Sequence, residues 1–474
     1  MDINMEKNIL LAIVFVPVVG SLALPILKGL SYKVRNLAAL LMVLASFVGS
    51  CLIAPGVLAG NKITIIREFP LGFNFVLTAD ILAIFMAIVS SLVGAIIVLY
   101  SFGYIRHYKN QNEYYFLVVF FLGSMMGIIF SANLIFIYIF WEMTAIASWR
   151  LIGFFRKPKD VLRADKAFLV TVFGALVMLI GFIMVYQSAG SFDLAVIKEA
   201  LKTNPLSNIA VILILFGIFS KSATLPFQTW LPDAGVAPSP VTALLHAAVL
   251  VKIGVYVFAR LFIITFVLLP VWHVAIPWIA AVSALVSAGA ALVETDMKRI
   301  IAYSTISQIA FIFLGFSVGM EIGIAGALLY ILMHGMAKSG LFLCAGIVEQ
   351  NTRTKDITQL GGLIATMPIT AISFFLCALS IMGIPPLGGF FSKYMVMAGA
   401  VNSGQILLTV TFLAGAILTI LYLFRLFNRI FLGAPRFASS REGSRVMVFS
   451  VAILAVLSLA AGICIYYPSS FAQA

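Results

Sequence analysis

Charge is what this sequence has least of. Lysine, arginine, aspartate and glutamate make up 10% of the 474 residues, against 63% hydrophobic ones. So few charges cannot cover a water-soluble surface, which excludes a soluble domain of this length. Acid is scarcer than base, 17 residues against 30. In a soluble chain that excess would suggest nucleic acid. Here it fits basic loops that hold cytoplasmic ends against anionic lipid, so the bilayer is the expected partner and nucleic acid is not. The four cysteines, Cys51, Cys344, Cys377 and Cys464, are scattered through apolar segments with no CxxC pair. That argues against iron–sulfur or zinc ligation and leaves them as small buried hydrophobes. There is no Walker loop, no GxGxxG opening a helix after a strand, no haem-attachment motif and no metal cluster. No cofactor and no metal are therefore expected in this chain, which alone should neither carry electrons nor hydrolyse ATP.

What the chain does have is long apolar runs. Windows of about twenty residues mark about fourteen spans, near 9–27, 34–54, 80–105, 114–131, 133–154, 163–187, 207–230, 239–262, 274–293, 299–318, 321–349, 367–402, 406–432 and 446–466. The first shows no small-residue cleavage signature behind it, so it reads as a helix and not as a removed signal. The fold class is an all-α polytopic membrane protein. Residues 55–79 suggest a short external hairpin. Asp193 to Lys202, with apolar Leu194, Ile197 and Leu201 at helical spacing, suggests a short interfacial helix.

Basic residues give the orientation. Loops after odd-numbered spans hold Lys28, Lys33, Arg35, Arg106, Lys109, Arg156, Lys157, Lys159, Arg163, Lys166, Lys298, Arg299, Arg353, Lys355, Arg429, Arg436, Arg441 and Arg445, whereas even loops hold Lys62, Arg67, Lys198, Lys202 and Arg260. This asymmetry predicts a cell-membrane protein with its odd loops in the cytoplasm and both termini outside. Proline breaks the seventh span at Pro226 and the twelfth at Pro385 and Pro386, and each broken span carries a lysine, Lys221 or Lys393. The helix with Lys221 should break one turn after it. An offset of five spans inverts topology, so spans four to eight and nine to thirteen form two candidate inverted five-helix repeats. The corresponding segments are an N-terminal three-helix part (1–110), a first repeat (111–265), a second (266–432) and a C-terminal helix and tail (433–474).

Ionisable groups inside the spans carry the chemistry. An ammonium near the bilayer centre costs roughly 2.5 to 3.5 kcal/mol even on insertion scales, so it persists where it faces a polar cavity and has a task. Glu142 lies halfway along the fifth span, and Lys221 is its candidate partner. A pair that opens and closes would change the lysine's hold on its proton, which is what passing protons onward requires. The bland alternative is a static pair locking two helices. His246 and Lys252 share span eight, His334 and Lys338 span eleven, and Lys393 is in span twelve. His334 and Lys338 are four apart and share a face. His246 and Lys252 are six apart, about 240° on a regular helix, and align only if the helix is distorted or water bridges them. With Ser220, Ser222, Thr242 and Ser339 nearby, a hydrated proton wire is the better reading of this series than isolated core histidines. Lys338, flanked by Gly335 and Gly340, also reads as a cap on a broken helix.

Five motifs, WEMTAIASWRLIGF, KSATLPFQTWLPDAGVAPSPVTALLHAAVLVKIGVY, DMKRIIAYSTISQIAFI, HGMAKSGLFLCAGIVE and GIPPLGGFFSKY, run from about span four to span twelve. In them the chain resembles the antiporter-like membrane subunits shared by respiratory complex I (NADH:quinone oxidoreductase), membrane-bound energy-converting hydrogenases and Mrp-type sodium/proton antiporters. The resemblance implies fourteen core helices in two inverted repeats, each with half of an ion path. It implies Glu142 and Lys221 as a coupling pair, Lys252 as central relay, His246, His334 and Lys338 as connecting relays, and Lys393 as terminal gate. The expected function is translocation of protons or sodium within a complex I-like redox-driven pump. Its other membrane subunits and a peripheral redox arm would be partners, with iron–sulfur and other redox centres in those partners. The alternative is an Mrp-type antiporter without redox chemistry. Arg150 departs from the family by standing where an apolar residue is expected; it reads as a cytoplasmic snorkel or as a competing partner for Glu142.

Overall fold

A computed structural model of the chain describes residues 2–27, 29, 31–69, 73–202 and 205–473. Lys28 of the first basic loop lies outside them. The helices are α1 (Ile3–Leu27), α2 (Tyr32–Leu58), α3 (Ile81–Tyr104), α4 (Gln111–Phe130), α5 (Leu134–Ile152) and α6 (Pro158–Ala189), then α7 (Leu194–Ala200), α8 (Asn208–Lys221) and α9 (Trp230–Asp233). There follow α10 (Ser239–Thr265), α11 (Trp272–Val293), α12 (Met297–Ser317), α13 (Glu321–Thr352), α14 (Pro368–Met382), α15 (Gly388–Asn402), α16 (Ile406–Phe431), α17 (Arg445–Ile463) and α18 (Tyr466–Gln473). The expected hairpin is present as β1 (Ile63–Arg67) paired antiparallel with β2 (Phe75–Ala79), and the expected short helix as α7. Among the described residues, twelve helices are long and apolar enough to cross a membrane. The two other expected spans are the ones that break, as α8 with α9 and α14 with α15. A count of fourteen holds only if each broken pair is taken as one crossing.

Local chemistry sets the boundaries. Asp80, Asn133, Ser207 and Asp296 each offer a side-chain oxygen to the first free backbone N–H groups of α3, α5, α8 and α12. Pro158 opens α6, and Gly190 closes it in the left-handed conformation. The first break comes earlier than the sequence suggests: α8 stops at Lys221 itself. Pro226 excludes the carbonyl of Ser222 from helical geometry and disfavours the helical conformation at Leu225, so the last regular turn must end before Ser222. At the second break Gly383 turns left-handed (φ 82°) and donates to Leu379 O and Ser380 O. Helix α15 then returns so close that a Cβ on Gly389 would lie 1.8 Å from Ser380 O, which only glycine permits.

The five elements from α4 to α10, with the short α7 set aside, and the five elements α11 to α16 agree in plan, each broken span counting once. The first two of each set pack on each other, and the third packs against the broken span. Each third element, α6 or α13, runs 32 residues. At 1.5 Å per residue that is about 48 Å, well beyond the ~30 Å hydrocarbon core. The sets differ in burial. Within their most apolar stretches α13 is 94% buried and α6 39%. The centre of the molecule is thus α10, α12 and α13, while α1, α2, α6, α16 and α17 face outward.

Candidate functional site

The ionisable side chains converge on that centre. Helix α10 is not regular: Leu244–Ala248 winds as a π-helix, Val249 leaves helical geometry (φ −131°, ψ −71°), and Ala259–Thr265 is again π. A helix distortion, one of the two conditions under which His246 and Lys252 would align, is therefore present. Its result is different from the one expected, because the charges that bear on His246 are those of Lys338 and Lys298. Near His334, Lys252 Nζ bonds to Ile331 O, three residues before it on α13, and Lys338 stands four residues after it. His246 lies 4.6 Å from the Phe342 ring centroid, and neither ring nitrogen of either histidine has a hydrogen-bond partner among the described residues.

Each lysine is fully or almost fully buried and bonds to neutral oxygen. Lys252 Nζ donates to Ile331 O at 2.8 Å. Lys338 Nζ donates to Ser304 Oγ at 2.5 Å and to Ile301 O at 3.3 Å. Lys393 Nζ donates back across the second break to Ile381 O at 2.6 Å and stands 4.8 Å from the Phe311 ring centroid. Lys221 Nζ donates to Trp141 O at 3.2 Å and lies 5.2 Å from the indole centroid. Glu142, next to Trp141, is not in ion-pair contact with Lys221: its buried Oε1 has no partner among the described residues. Each nevertheless is the charge that bears on the other. The two are thus adjacent in an open arrangement. Lys338 is no cap on a broken helix, since α13 runs unbroken through it. Of the hydroxyls expected along a wire, Ser220, Ser222 and Thr242 donate to carbonyls of their own segments, and Ser339 has no partner among the described residues.

Sequence reasoning missed a second layer. Ser304 accepts from the Tyr422 hydroxyl at 2.7 Å. Gln308, one turn on, donates to Thr419 Oγ1 at 3.1 Å and to Tyr422 at 3.4 Å, while its Oε1 accepts from Tyr330 at 2.5 Å. Tyr330 has its ring centroid 5.6 Å from Lys393 Nζ. A continuous polar chain thus joins Lys338 to the neighbourhood of Lys393. The available signal was the spacing: Ser304 and Gln308 are four apart, and Tyr330, His334 and Lys338 fall at successive fours on α13.

Three residues counted as loop cations are buried. Arg260 pairs with both carboxylate oxygens of Asp80 and bonds to Tyr256. Lys298 pairs with Glu349 at 2.7 Å, and Glu349 lines a cavity of about 580 Å³ on the odd-loop face together with Tyr104, His107 and Arg353. Arg35 bonds to Gln111 and Asn112. Each had looked like a loop residue because its partner is distant in sequence. Arg150 reaches the helix end and pairs with Glu113 at 2.5 Å, as Arg156 does at 2.6 Å, so it does not compete for Glu142. Asp233 of the LPDA motif joins Lys166 at 2.8 Å and Arg299 at 2.6 Å, tying α9 to α6 and α12. Burial works to raise the Asp233 carboxyl, but the hydrogen bonds and charges of Lys166 and Arg299 outweigh it and hold it below the ordinary aspartate value. Cys344 and Cys377 are buried as expected; Cys51, on the outward side of α2, and Cys464, in the turn after α17, are exposed, contrary to expectation.

Residues 131–419, more than half of the chain, match the model of the transmembrane family described as NADH:quinone oxidoreductase/Mrp antiporter. The chain belongs to that family. Residues 66–115 of this antiporter-family chain also match the N-terminus of chain 5 of NADH-ubiquinone oxidoreductase (complex I). It is 34% identical over 426 residues to the A1 component of the Na+/H+ antiporter of Staphylococcus haemolyticus, covering 83% of this chain and 53% of that one. To an Na+/H+ antiporter component of Alkalihalophilus pseudofirmus it is 35% identical over 392 residues, 77% of this chain and 49% of that one. The chain spans about half the length of these curated relatives. Its fold matches a chain of the Mrp complex from Dietzia sp. DQ12-45-1b with a TM-score of 0.88, at 22% identity and covering 99% of this chain and 96% of that one. A chain of the membrane-bound sulfane sulfur reductase, an archaeal respiratory membrane complex, matches with a TM-score of 0.90, at 22% identity over 98% and 96%. At such identity the two structures speak for the fold alone.

Proposed function

We propose that this antiporter-family chain is an ion-translocating membrane subunit of a larger assembly, and that the assembly exchanges sodium for protons. The observation that carries translocation is a contrast between two kinds of buried cation. Arg260 and Lys298 have carboxylate partners, as a structural charge removed from water requires. Lys252, Lys338 and Lys393 have only neutral oxygens as hydrogen-bond partners among the described residues. Ammonium groups held this way have no counter-charge to lock them in place, and a series of them near His334 can hand a proton along. The unpartnered imidazoles of His246 and His334 support water in the series, because a buried polar group left unpaired costs about 1–3 kcal/mol.

In this reading protons reach His246 from the cavity lined by Glu349, the partner of Lys298, pass by way of Lys338 and His334 to Lys252, and are gated at the ends by Lys221 with Glu142 and by Lys393. A hydroxyl both gives and takes a proton, whereas an amide cannot pass one on without changing its bonding. Gln308 therefore interrupts the polar chain between Lys338 and Lys393, and transfer between those lysines waits on water or on movement. The basic loops support a cytoplasmic position for the Glu349 cavity, with both termini outside. The parallel packing of the two sets of five elements supports repeats at 111–265 and 266–432.

The names of the Staphylococcus and Alkalihalophilus relatives favour sodium/proton exchange. The redox-driven pump with an iron–sulfur peripheral arm, the first expectation from the sequence, now stands second. Gentle solubilisation, capture of this chain and identification of what accompanies it tests the choice. The expected companions are small membrane proteins and a second antiporter-like subunit. Iron–sulfur or nickel–iron subunits would overturn the exchanger, and recovery of the chain alone would overturn the assembly.

A further inference from the structure

Away from the buried lysines, the odd-loop face carries a cavity of about 360 Å³ lined by Tyr32, Arg35, Arg106, Lys109, Gln111 and Asn112, at the start of α2, the end of α3 and the start of α4. Three of these residues are cationic and none is acidic. Arg35 is 2% exposed, and its guanidinium is fixed in the wall: Nη1 donates to Asn112 Oδ1 at 2.5 Å, and Nη2 donates to Gln111 Oε1 at 2.8 Å and to Asn36 Oδ1 at 2.7 Å. All these acceptors are neutral amides, so its charge is not cancelled. The loop beyond is pinned as well, with Gln111 Nε2 donating to Arg106 O at 3.0 Å.

Several cations of this face are compensated. Arg150, Arg156, Lys166, Lys298, Arg299 and Lys355 each have a carboxylate partner, whereas Arg35, Arg106 and Lys109 have none among the described residues. The cavity thus combines uncompensated positive charge with a surplus of donors, which is the complement of a phosphate. Its position identifies the phosphate's source. Val34, Leu37 and Leu41 stand exposed on the outer face of α2, the helix that supplies Arg35, an apolar column of the kind that lies against acyl chains. We propose that the cavity binds the headgroup phosphate of one anionic phospholipid, with its acyl chains along α2. The bound lipid would pin together the ends of α2, α3 and α4, leaving the buried lysines untouched.

The test is native mass spectrometry of the purified full-length chain, titrated with phosphatidylglycerol, with phosphatidylcholine and with inorganic phosphate. One phosphatidylglycerol is expected to bind in preference to phosphatidylcholine. The Arg106→Ala/Lys109→Ala variant should weaken that binding by about thirtyfold, from the surface contribution of two basic residues. The variant Arg429→Ala/Arg436→Ala, which removes two cations elsewhere on the same face, should bind like the wild type. Equal binding of the two lipids, full retention in Arg106→Ala/Lys109→Ala, or equal loss in both variants would overturn the site. Displacement of the lipid by inorganic phosphate at matched concentration would overturn the lipid as its occupant.

Discussion

Gly335 faces the ammonium of Lys252, and a methyl group there changes nothing that titrates. A Cβ at Gly335 would lie 2.6 Å from Nζ, where ordinary contact begins at 3.4 Å. The ammonium must retreat by about 0.8 Å. Its hydrogen bond to Ile331 O is 2.8 Å long, so a retreat of that size stretches it to the limit of bonding. A hydrogen bond from a charged group is worth about 1.5–3 kcal/mol. If that contact holds Lys252 in register for proton transfer, Gly335→Ala should slow transport about 10- to 150-fold. Alanine is also the better helix former by about 1 kcal/mol, so a weaker helix cannot explain the loss. The assay is sodium-driven proton movement in proteoliposomes followed with a pH dye. Gly289→Ala is the control, because nothing lies within 4 Å of a Cβ there. Transport by Gly335→Ala within about twofold of the control would refute the reasoning that the register of Lys252 matters.

Gln308→Glu should close the interrupted chain and raise passive proton leak into liposomes, whereas Gln308→Leu should strand the Tyr330 hydroxyl, cost about 1–3 kcal/mol and leave the leak low; equal leak in both would contradict the interruption. Arg150→Leu should leave turnover within about twofold of wild type, since Glu113 keeps Arg156 as partner. Turnover lost to the same degree as in Glu142→Ala would put Arg150 in the path. Arg260→Leu leaves the Asp80 carboxylate buried alone and should cost about 3–5 kcal/mol in a detergent melt, most of it recovered in Asp80→Leu/Arg260→Leu; additive losses would contradict this. Burial pushes the Asp80 carboxyl up, but the charge and hydrogen bonds of Arg260 and the N–H of Ala83 outweigh it, so its folded value lies below the ordinary one. The pair's contribution is then fully present above about pH 3.9 and lost only as pH falls through the depressed value. Without Arg260 burial dominates and the Asp80 carboxyl rises, so the cost of Arg260→Leu should be larger at about pH 9 than at about pH 5, and a cost that shrinks as pH rises would contradict the assignment.

Local rules made much of this legible. Prolines marked both breaks, a six-residue spacing announced the distortion in α10, and alternation around Ile63 and Phe75 announced the hairpin. What stayed hidden depends on partners far apart in the chain. Arg260 reads as a loop residue until Asp80, 180 positions earlier, is seen beside it. Lys298 does so until Glu349 appears. The position of the first break was misjudged because proline acts on the carbonyl four residues before it, which a count forward from Lys221 ignores. Gln308 was overlooked because one amide in an apolar helix looks like packing until the hydroxyls of Tyr330, Tyr422 and Thr419 are placed around it.

The central claim is that lysines without counter-ions carry the ion. The direct measurement is sodium-dependent proton flux in liposomes holding the whole assembly, with Lys252→Met beside the wild type. Methionine keeps the volume and removes the charge. Flux should fall at least about tenfold while every subunit remains in the assembly. Wild-type flux from an intact assembly containing Lys252→Met would contradict the account.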